Sequence, residues 1–213
     1  MLRVFGYLKN HSKHGIIVDT RERIIPTNDE ITVNWKEQYP GATEELPPDM
    51  PTPKGKTIQI TTYVDADHAH DQVTRRSVTG ILLFVNNTPI KWYSKRQNTV
   101  ETSTYGAELV ALRIAIELII EYRYKLRMMG IPIEGASQVL CDNKSVVLST
   151  SLPSSTLKKK HNALAYHRVR EAVAAGIVKV SHIPGAENVV DILTKPTDGP
   201  TFRKHLKSTL VVL

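Results

Sequence analysis

Four acidic side chains stand where elements of secondary structure should begin or end: Asp65, Glu108, Asp142 and Asp191. Asp65 closes an alternating strand, and Glu108 lies in the first turns of a long helix. Asp142 ends a short apolar strand, and Asp191 opens a late helix. Carboxylates gathered without basic partners repel one another, so such a group needs divalent cations to neutralise it. Hard oxygen donors with water completing an octahedron suit Mg²⁺, with Mn²⁺ as a substitute. Two such ions about 3.5–4 Å apart would activate a water and stabilise the leaving oxygen of an in-line phosphodiester displacement. Each acid taken singly also has a purely structural reading. Asp65 can be a polar strand end, Glu108 a charge favoured by the helix dipole, and Asp142 and Asp191 helix caps. Their joint placement is what points to chemistry. Asp67, two residues on and facing the same way along a strand, is an alternative to Asp65, which is preferred because it directly follows the apolar run.

Those positions depend on a particular order of elements. Thr57 to Asp65 alternates as a strand, with Ile58, Ile60, Thr62 and Val64 on one face. Val78 to Val85 and Pro89 to Ser94 are apolar runs joined at Asn86-Asn87, a hairpin signal because asparagine tolerates positive φ. From Ser103 to Met129, Leu109, Leu112, Ile116, Ile119 and Ile120 share one helical face. Arg113, Glu117, Glu121 and Lys125 share the other, and Gly130 and Pro132 stop the helix. Gln138 to Cys141 is a short strand, with a helix opening at Asp142-Asn143. Lys158 to Ala175 is a second long helix, Ile177 to Ile183 a fifth strand, and Val189 to Lys195 the start of another helix. This order predicts an α/β fold with a five-stranded mixed sheet, three antiparallel strands then two parallel ones, flanked by helices. First and fourth strands can be central neighbours in such a sheet, which would draw the four acids to one edge.

The 213 residues suffice for one ordinary domain plus an appendage, and 41% hydrophobic content is enough for a core. A surplus of 28 Lys+Arg over 21 Asp+Glu, with pI near 9.4, favours polyanionic partners such as nucleic acid. One cysteine, Cys141, excludes an internal disulfide and makes a reducing compartment the default. No apolar run reaches a membrane span, so a soluble, intracellular protein without membrane partners is expected. Six of the twelve prolines fall between Pro26 and Pro53, which reads as a loop or linker. Before it, Leu2 to Leu8 reads as a helix end and Gly15 to Val18 as a short strand.

Several strings resemble the RNase H domain of copia-type retrotransposon Pol polyproteins. Tyr63-Val64-Asp65-Ala66-Asp67 followed by Thr74-Arg75-Arg76-Ser77-Val78-Thr79-Gly80 looks like its opening. Ile90-Lys91-Trp92-Tyr93-Ser94-Lys95-Arg96-Gln97 and Glu101-Thr102-Ser103-Thr104-Tyr105-Gly106-Ala107-Glu108 come next, in the family's order. Cys141-Asp142-Asn143-Lys144-Ser145 and Val190-Asp191-Ile192-Leu193-Thr194-Lys195-Pro196 resemble the last two motifs, and the likeness covers about residues 58–200. Arg3 to Lys9 resembles the segment that joins the reverse transcriptase to its RNase H. The resemblance implies an RNase H-like fold and metal-binding, catalytic acids at Asp65, Glu108, Asp142 and Asp191. It implies two Mg²⁺ ions, no small-molecule cofactor, and cleavage of the RNA strand of an RNA–DNA hybrid to 3′-hydroxyl and 5′-phosphate ends. It also implies the reverse transcriptase domain of the same polyprotein as a partner, in a cytoplasmic retrotransposon particle or the nucleus. Residues 1–25 would then be a reverse-transcriptase remnant, 26–56 a Pro-rich linker, 57–200 the RNase H-like domain and 201–213 a tail.

A wide, shallow minor groove displays the 2′-hydroxyls of one strand of a hybrid. Ser103, Thr104 and Asn143, beside the acids, are candidates to contact the RNA, while Arg75, Arg76, Lys95, Arg96, Lys158 and Lys159 are candidates for phosphates. One of Trp92 and Tyr93 belongs in the core, since neighbours alternate along a strand. Three positions depart from the family pattern: His68 where a Trp is usual, Gly106 where a helix former is usual, and His182, which ends the fifth strand rather than serving as the mobile histidine of many RNases H. Competing readings are an integrase-like DNA nuclease, which usually carries its Glu last, and a non-catalytic binding or connection module or domesticated fragment.

Overall fold

Thr, Ile, Val and Tyr fill the central strands, the residue types that pack best on a pleated surface covered from both sides. A computed structural model of the chain describes residues 9, 12–16, 18–25, 33–133, 135–157, 160–209 and 211–212. The helix end expected over Leu2–Leu8, and the Arg3–Lys9 likeness apart from Lys9, lie outside the described residues. The short early strand is β1 (His14–Gly15), which pairs antiparallel with β7 (Val211–Val212).

The main sheet is built from β2 (Ile60–Asp67), β3 (Val78–Val85), β4 (Thr88–Arg96), β5 (Ser137–Cys141) and β6 (Val178–His182). Its order is β4-β3-β2-β5-β6; β2, β3 and β4 run antiparallel, while β5 is parallel to β2 and β6. The expected α/β class and mixed five-stranded sheet are therefore present, with the first and fourth strands side by side at the centre. Asn86 turns the β3–β4 hairpin with φ of 52°, a conformation that asparagine tolerates.

On one face lies α1 (Thr104–Met128), whose Leu109, Leu112, Ala115, Ile116 and Ile119 are fully buried. Its polar face carries the ion pairs Arg113–Glu117 and Lys125–Glu121. The same core takes Val146 and Val147 of α2 (Lys144–Ser151) and Tyr166 and Val169 of α3 (Ala163–Ala174). The opposite face is covered by a 3₁₀ helix, Val189–Leu193, which buries Val189 and Val190 against Tyr63, Leu82, Phe84 and Leu140.

Several expected elements change in bounds or type. The second long helix begins at Ala163 rather than Lys158, preceded by a 3₁₀ turn, Lys160–Asn162. β2 runs two residues past Asp65, because β3 pairs with it as far as Asp67. Asp191 lies in a 3₁₀ helix rather than an α-helix. Pro196 lacks an amide hydrogen and restricts Lys195, so the turn cannot be propagated. The last α-helix, α4 (Gly199–Lys207), falls across the end of the expected domain and the start of the expected tail. It is capped by the Asp198 carboxylate, which accepts from the Thr201 amide.

Residues 33–56 form no helix and lie along the domain. Trp35 is buried with the Arg170 guanidinium 4.8 Å from its ring, and Glu44 pairs with Arg123 and Arg127 of α1. No described helix is long and apolar enough to cross a membrane.

Candidate active site

Strand register sets the first two acids. Val64 aligns with Cys141 in the parallel β2–β5 pair, so Asp65 and Asp142 stand at neighbouring points on the sheet edge. Glu108 comes from the α1 face of the sheet, one turn after the Ser103 cap, whose hydroxyl accepts from the Gly106 amide. Asp191 comes from the opposite face, and its approach depends on a glycine. Gly80 lies opposite Asp65 on β3. A Cβ at Gly80 would meet the Thr194 methyl at 2.5 Å and Val190 at 3.3 Å. The 3₁₀ helix is held there by three hydrogen bonds. The Asn188 side-chain amide donates to the Val64 carbonyl, the Ser94 hydroxyl to the Leu193 carbonyl, and the Thr194 hydroxyl to the Asp65 carboxylate.

Carboxylate oxygens of Asp65, Asp142 and Asp191 lie within 4.8 Å of one another, and donors of Glu108 and Asp142 are equally close. Asp65 and Glu108 are both 3% exposed. Burial, then the charges of Asp65 and Asp142, push the Glu108 carboxyl up to about 9. Burial followed by Asp65 raises Asp142. Burial also raises Asp191, against the hydrogen bond from Lys195. The Lys195 ammonium lies 3.1 Å from Asp191 and 4.0 Å from Asp65. Burial opposes its charge, but Asp65 and Asp191 outweigh burial and raise its pKa.

One Glu108 oxygen and one Asp191 oxygen are buried without a hydrogen-bond partner. Buried polar atoms normally find partners, so two orphaned carboxylate oxygens among four converging acids fit a hard cation. Cys141 lies in the same cluster, fully buried, and burial and then Glu108 push its thiol well up.

Asp67 lines the same cleft as Asp65, but it lies outside the tight groups of donors and its carboxylate pairs with His70. Thr104 and Asn143 line a cleft of about 480 Å³ with Asp65, Glu108, Asp142 and Lys195. Asn143 also caps α2, accepting from the Val146 amide. Arg75 and Arg76 are exposed on the β2–β3 loop; Lys95 is exposed on β4, and Arg96 pairs with Asp71. Lys158 and Lys159 lie outside the described residues. Tyr93 packs on the core, whereas Trp92 is 59% exposed. His68 bonds the Glu101 carbonyl, and His182, the last residue of β6, bonds the Asp142 carbonyl at 3.1 Å. Gly106 has a packing reason, since a Cβ there would lie 2.6 Å from Glu101 and 3.1 Å from Asn162. Sequence reasoning did not single out Gly80, Asn188, Thr194 or Lys195. A polar pair directly after an apolar turn that carries an acid at its centre was the available signal for the last two.

No family model matches the chain. It is 29% identical over 159 residues to the retrovirus-related Pol polyprotein from transposon RE2 of Arabidopsis thaliana, covering 75% of this chain and 11% of that protein. It is 34% identical over 133 residues to the corresponding polyprotein from transposon TNT 1-94 of Nicotiana tabacum, covering 62% of this chain and 10% of that one. The chain thus spans about a tenth of the length of these curated relatives. Among solved structures, LC11-RNase H1 in complex with an RNA/DNA hybrid matches with a TM-score of 0.51 at 17% identity, covering 64% of this chain and 94% of that one. The N-terminal RNase H domain of Rv2228c from Mycobacterium tuberculosis, solved as a fusion with maltose-binding protein, matches with a TM-score of 0.50 at 14% identity. It covers 71% and 99% of the two chains. The fold is RNase H-like, and the relatives bear out the resemblance to copia-type Pol polyproteins.

Proposed function

We propose that this RNase H-like relative of the copia-type Pol polyproteins is an endoribonuclease that hydrolyses the RNA strand of RNA–DNA hybrids. The observation that carries the reading is the convergence of Asp65, Glu108, Asp142 and Asp191 from both faces and the centre of one sheet, with two buried oxygens left unpartnered. These four residues are the proposed metal ligands, Mg²⁺ the proposed ion in two copies, and Mn²⁺ its substitute. Bound there, divalent cations would supply a nucleophilic hydroxide and neutralise the charge that develops on the leaving oxygen. The Asp65 hydroxyl partner Thr194 holds that carboxylate in one orientation. Thr104 and Asn143 would meet RNA hydroxyls, a role supported by their position on the wall of the cleft. Arg75, Arg76, Lys95 and Arg96, with Lys158 and Lys159, would hold phosphates. The reverse transcriptase domain of the same polyprotein is the proposed partner, in a cytoplasmic particle or the nucleus.

The test incubates the chain with labelled RNA–DNA hybrid, duplex DNA and duplex RNA across Mg²⁺ and Mn²⁺ concentrations, with Asp142→Asn as control. Hybrid-only cleavage, lost in the control, is expected. Cleavage of duplex DNA instead would favour an integrase-like nuclease. Salt-sensitive hybrid binding without cleavage would favour a binding module or a domain that needs its polymerase.

A further inference from the structure

The four acids come with a cation of their own. Lys195 follows the 3₁₀ helix and reaches back four residues to Asp191, at 3.1 Å, and on to Asp65, at 4.0 Å. No other lysine or arginine among the described residues pairs with the four acids. The two carboxylates are largely buried, whereas the Lys195 side chain is 43% exposed, so its flexible stem has solvent to move into. The ammonium lies by Oδ2 of each carboxylate, and both acids belong to the group of donors that would hold a divalent ion. An ammonium and a dication on the same two carboxylates repel strongly at such range.

We propose that Lys195 is a displaceable internal counter-ion: it neutralises Asp65 and Asp191 while the site is free of metal, and divalent cations expel its ammonium toward the mouth of the cleft. This rests on the metal-site reading given above. Lys195 therefore acts on two properties in opposite senses. It stabilises the metal-free protein, and it weakens the binding of divalent cations. An ordinary surface ion pair would do the first weakly and the second not at all. A lysine that serves only to grip phosphate would do neither.

The test uses the full chain and its Lys195→Met and Lys195→Arg variants. Thermal melts in EDTA are combined with calorimetric titration of Mn²⁺, without any nucleic acid. Lys195→Met should melt lower than the parent in EDTA and bind Mn²⁺ roughly tenfold more tightly, while Lys195→Arg, which keeps the charge, should stay near the parent in both. A second measurement needs no variant. Acetylation of Lys195, followed by mass spectrometry, should be slow in EDTA and several-fold faster once Mn²⁺ is bound. Equal or weaker Mn²⁺ binding by Lys195→Met, or labelling indifferent to Mn²⁺, overturns the proposal. A parent protein that takes up no Mn²⁺, indistinguishable from Asp142→Asn, sinks the metal-site reading itself and the counter-ion role with it.

Discussion

Glu108 shows at the scale of one residue what the cluster costs. Its carboxyl titrates near 9 in the folded chain against an ordinary value of 4.5. The unfolded chain therefore ionises first, and folding must hold a proton that the solvent would otherwise remove. The sign follows from linkage: this group opposes folding increasingly as pH rises from 4.5 to about 9, and has no effect below the lower value. Replacing it with the isosteric neutral amide, Glu108→Gln, should stabilise the metal-free protein by roughly 1–3 kcal/mol at pH 7. The gain should vanish near pH 4. Urea melts in EDTA at the two pH values would check this, and a variant less stable than the parent at pH 7 would refute the burial cost assigned to Glu108.

An element rather than a residue delivers Asp191. The 3₁₀ helix Val189–Leu193 can lie flat across β3 because Gly80 has no side chain, and Ser94 on the edge strand ties its far end. Gly80→Ala inserts a methyl group against Thr194 and Val190, and overpacking of this kind costs about 1–3 kcal/mol. It should also loosen Asp191, so weaker Mn²⁺ binding is expected together with the lower melting point. Ser94→Ala removes a single hydrogen bond, worth about 1 kcal/mol, and leaves the seat itself intact. Comparing the two by melting and metal titration separates the seat from its tether. The idea fails if Gly80→Ala binds Mn²⁺ as the parent does.

Over the whole molecule, the proline-rich segment is tied to the domain by charge. Arg123, only 3% exposed in its side chain, donates to Glu44, to the Gly135 carbonyl and to the Ser137 hydroxyl, and Arg127 shares the same carboxylate. Burial would raise Glu44, but the bonds from Arg123 and Arg127 outweigh it and hold the carboxyl at about 2. A carboxyl depressed in this way stabilises the fold fully above its ordinary value, and the contribution is lost as pH falls from about 4.5 to 2. Glu44→Ala leaves a buried guanidinium short of its anion and should cost about 2–4 kcal/mol at pH 7. The difference from the parent should shrink toward pH 3, as read by denaturant melts. The formal charge of +7 acts at the same scale: affinity for any hybrid should fall steeply between low and physiological salt.

The order of elements, the α/β class and the motif likeness were readable in the chain itself. Strand alternation, the five apolar positions on one α1 face, and Gly and Pro stops are local patterns that the backbone must obey. The four acids were legible as candidates because each falls at or near the expected start or end of an element, although β2 runs on to Asp67 and Asp191 sits within its 3₁₀ helix. Which groups meet was not legible, because meeting depends on register and on approach from the two faces of a sheet. Asp67 follows on the same strand as Asp65 and lines the same cleft, yet its carboxylate pairs with His70 rather than joining the tight group of donors. Thr194 touches Asp65 from 129 positions away, and no local pattern predicts that contact. The long α-helix expected from Lys158 starts instead at Ala163 after a 3₁₀ turn, and the one expected to carry Asp191 is a 3₁₀ helix that Pro196 does not let continue. Local sequence thus determined which elements exist and where their acids lie. Tertiary structure alone decided that a glycine without a side chain would seat one turn beside β2, and so bring Asp191 and Lys195 onto Asp65.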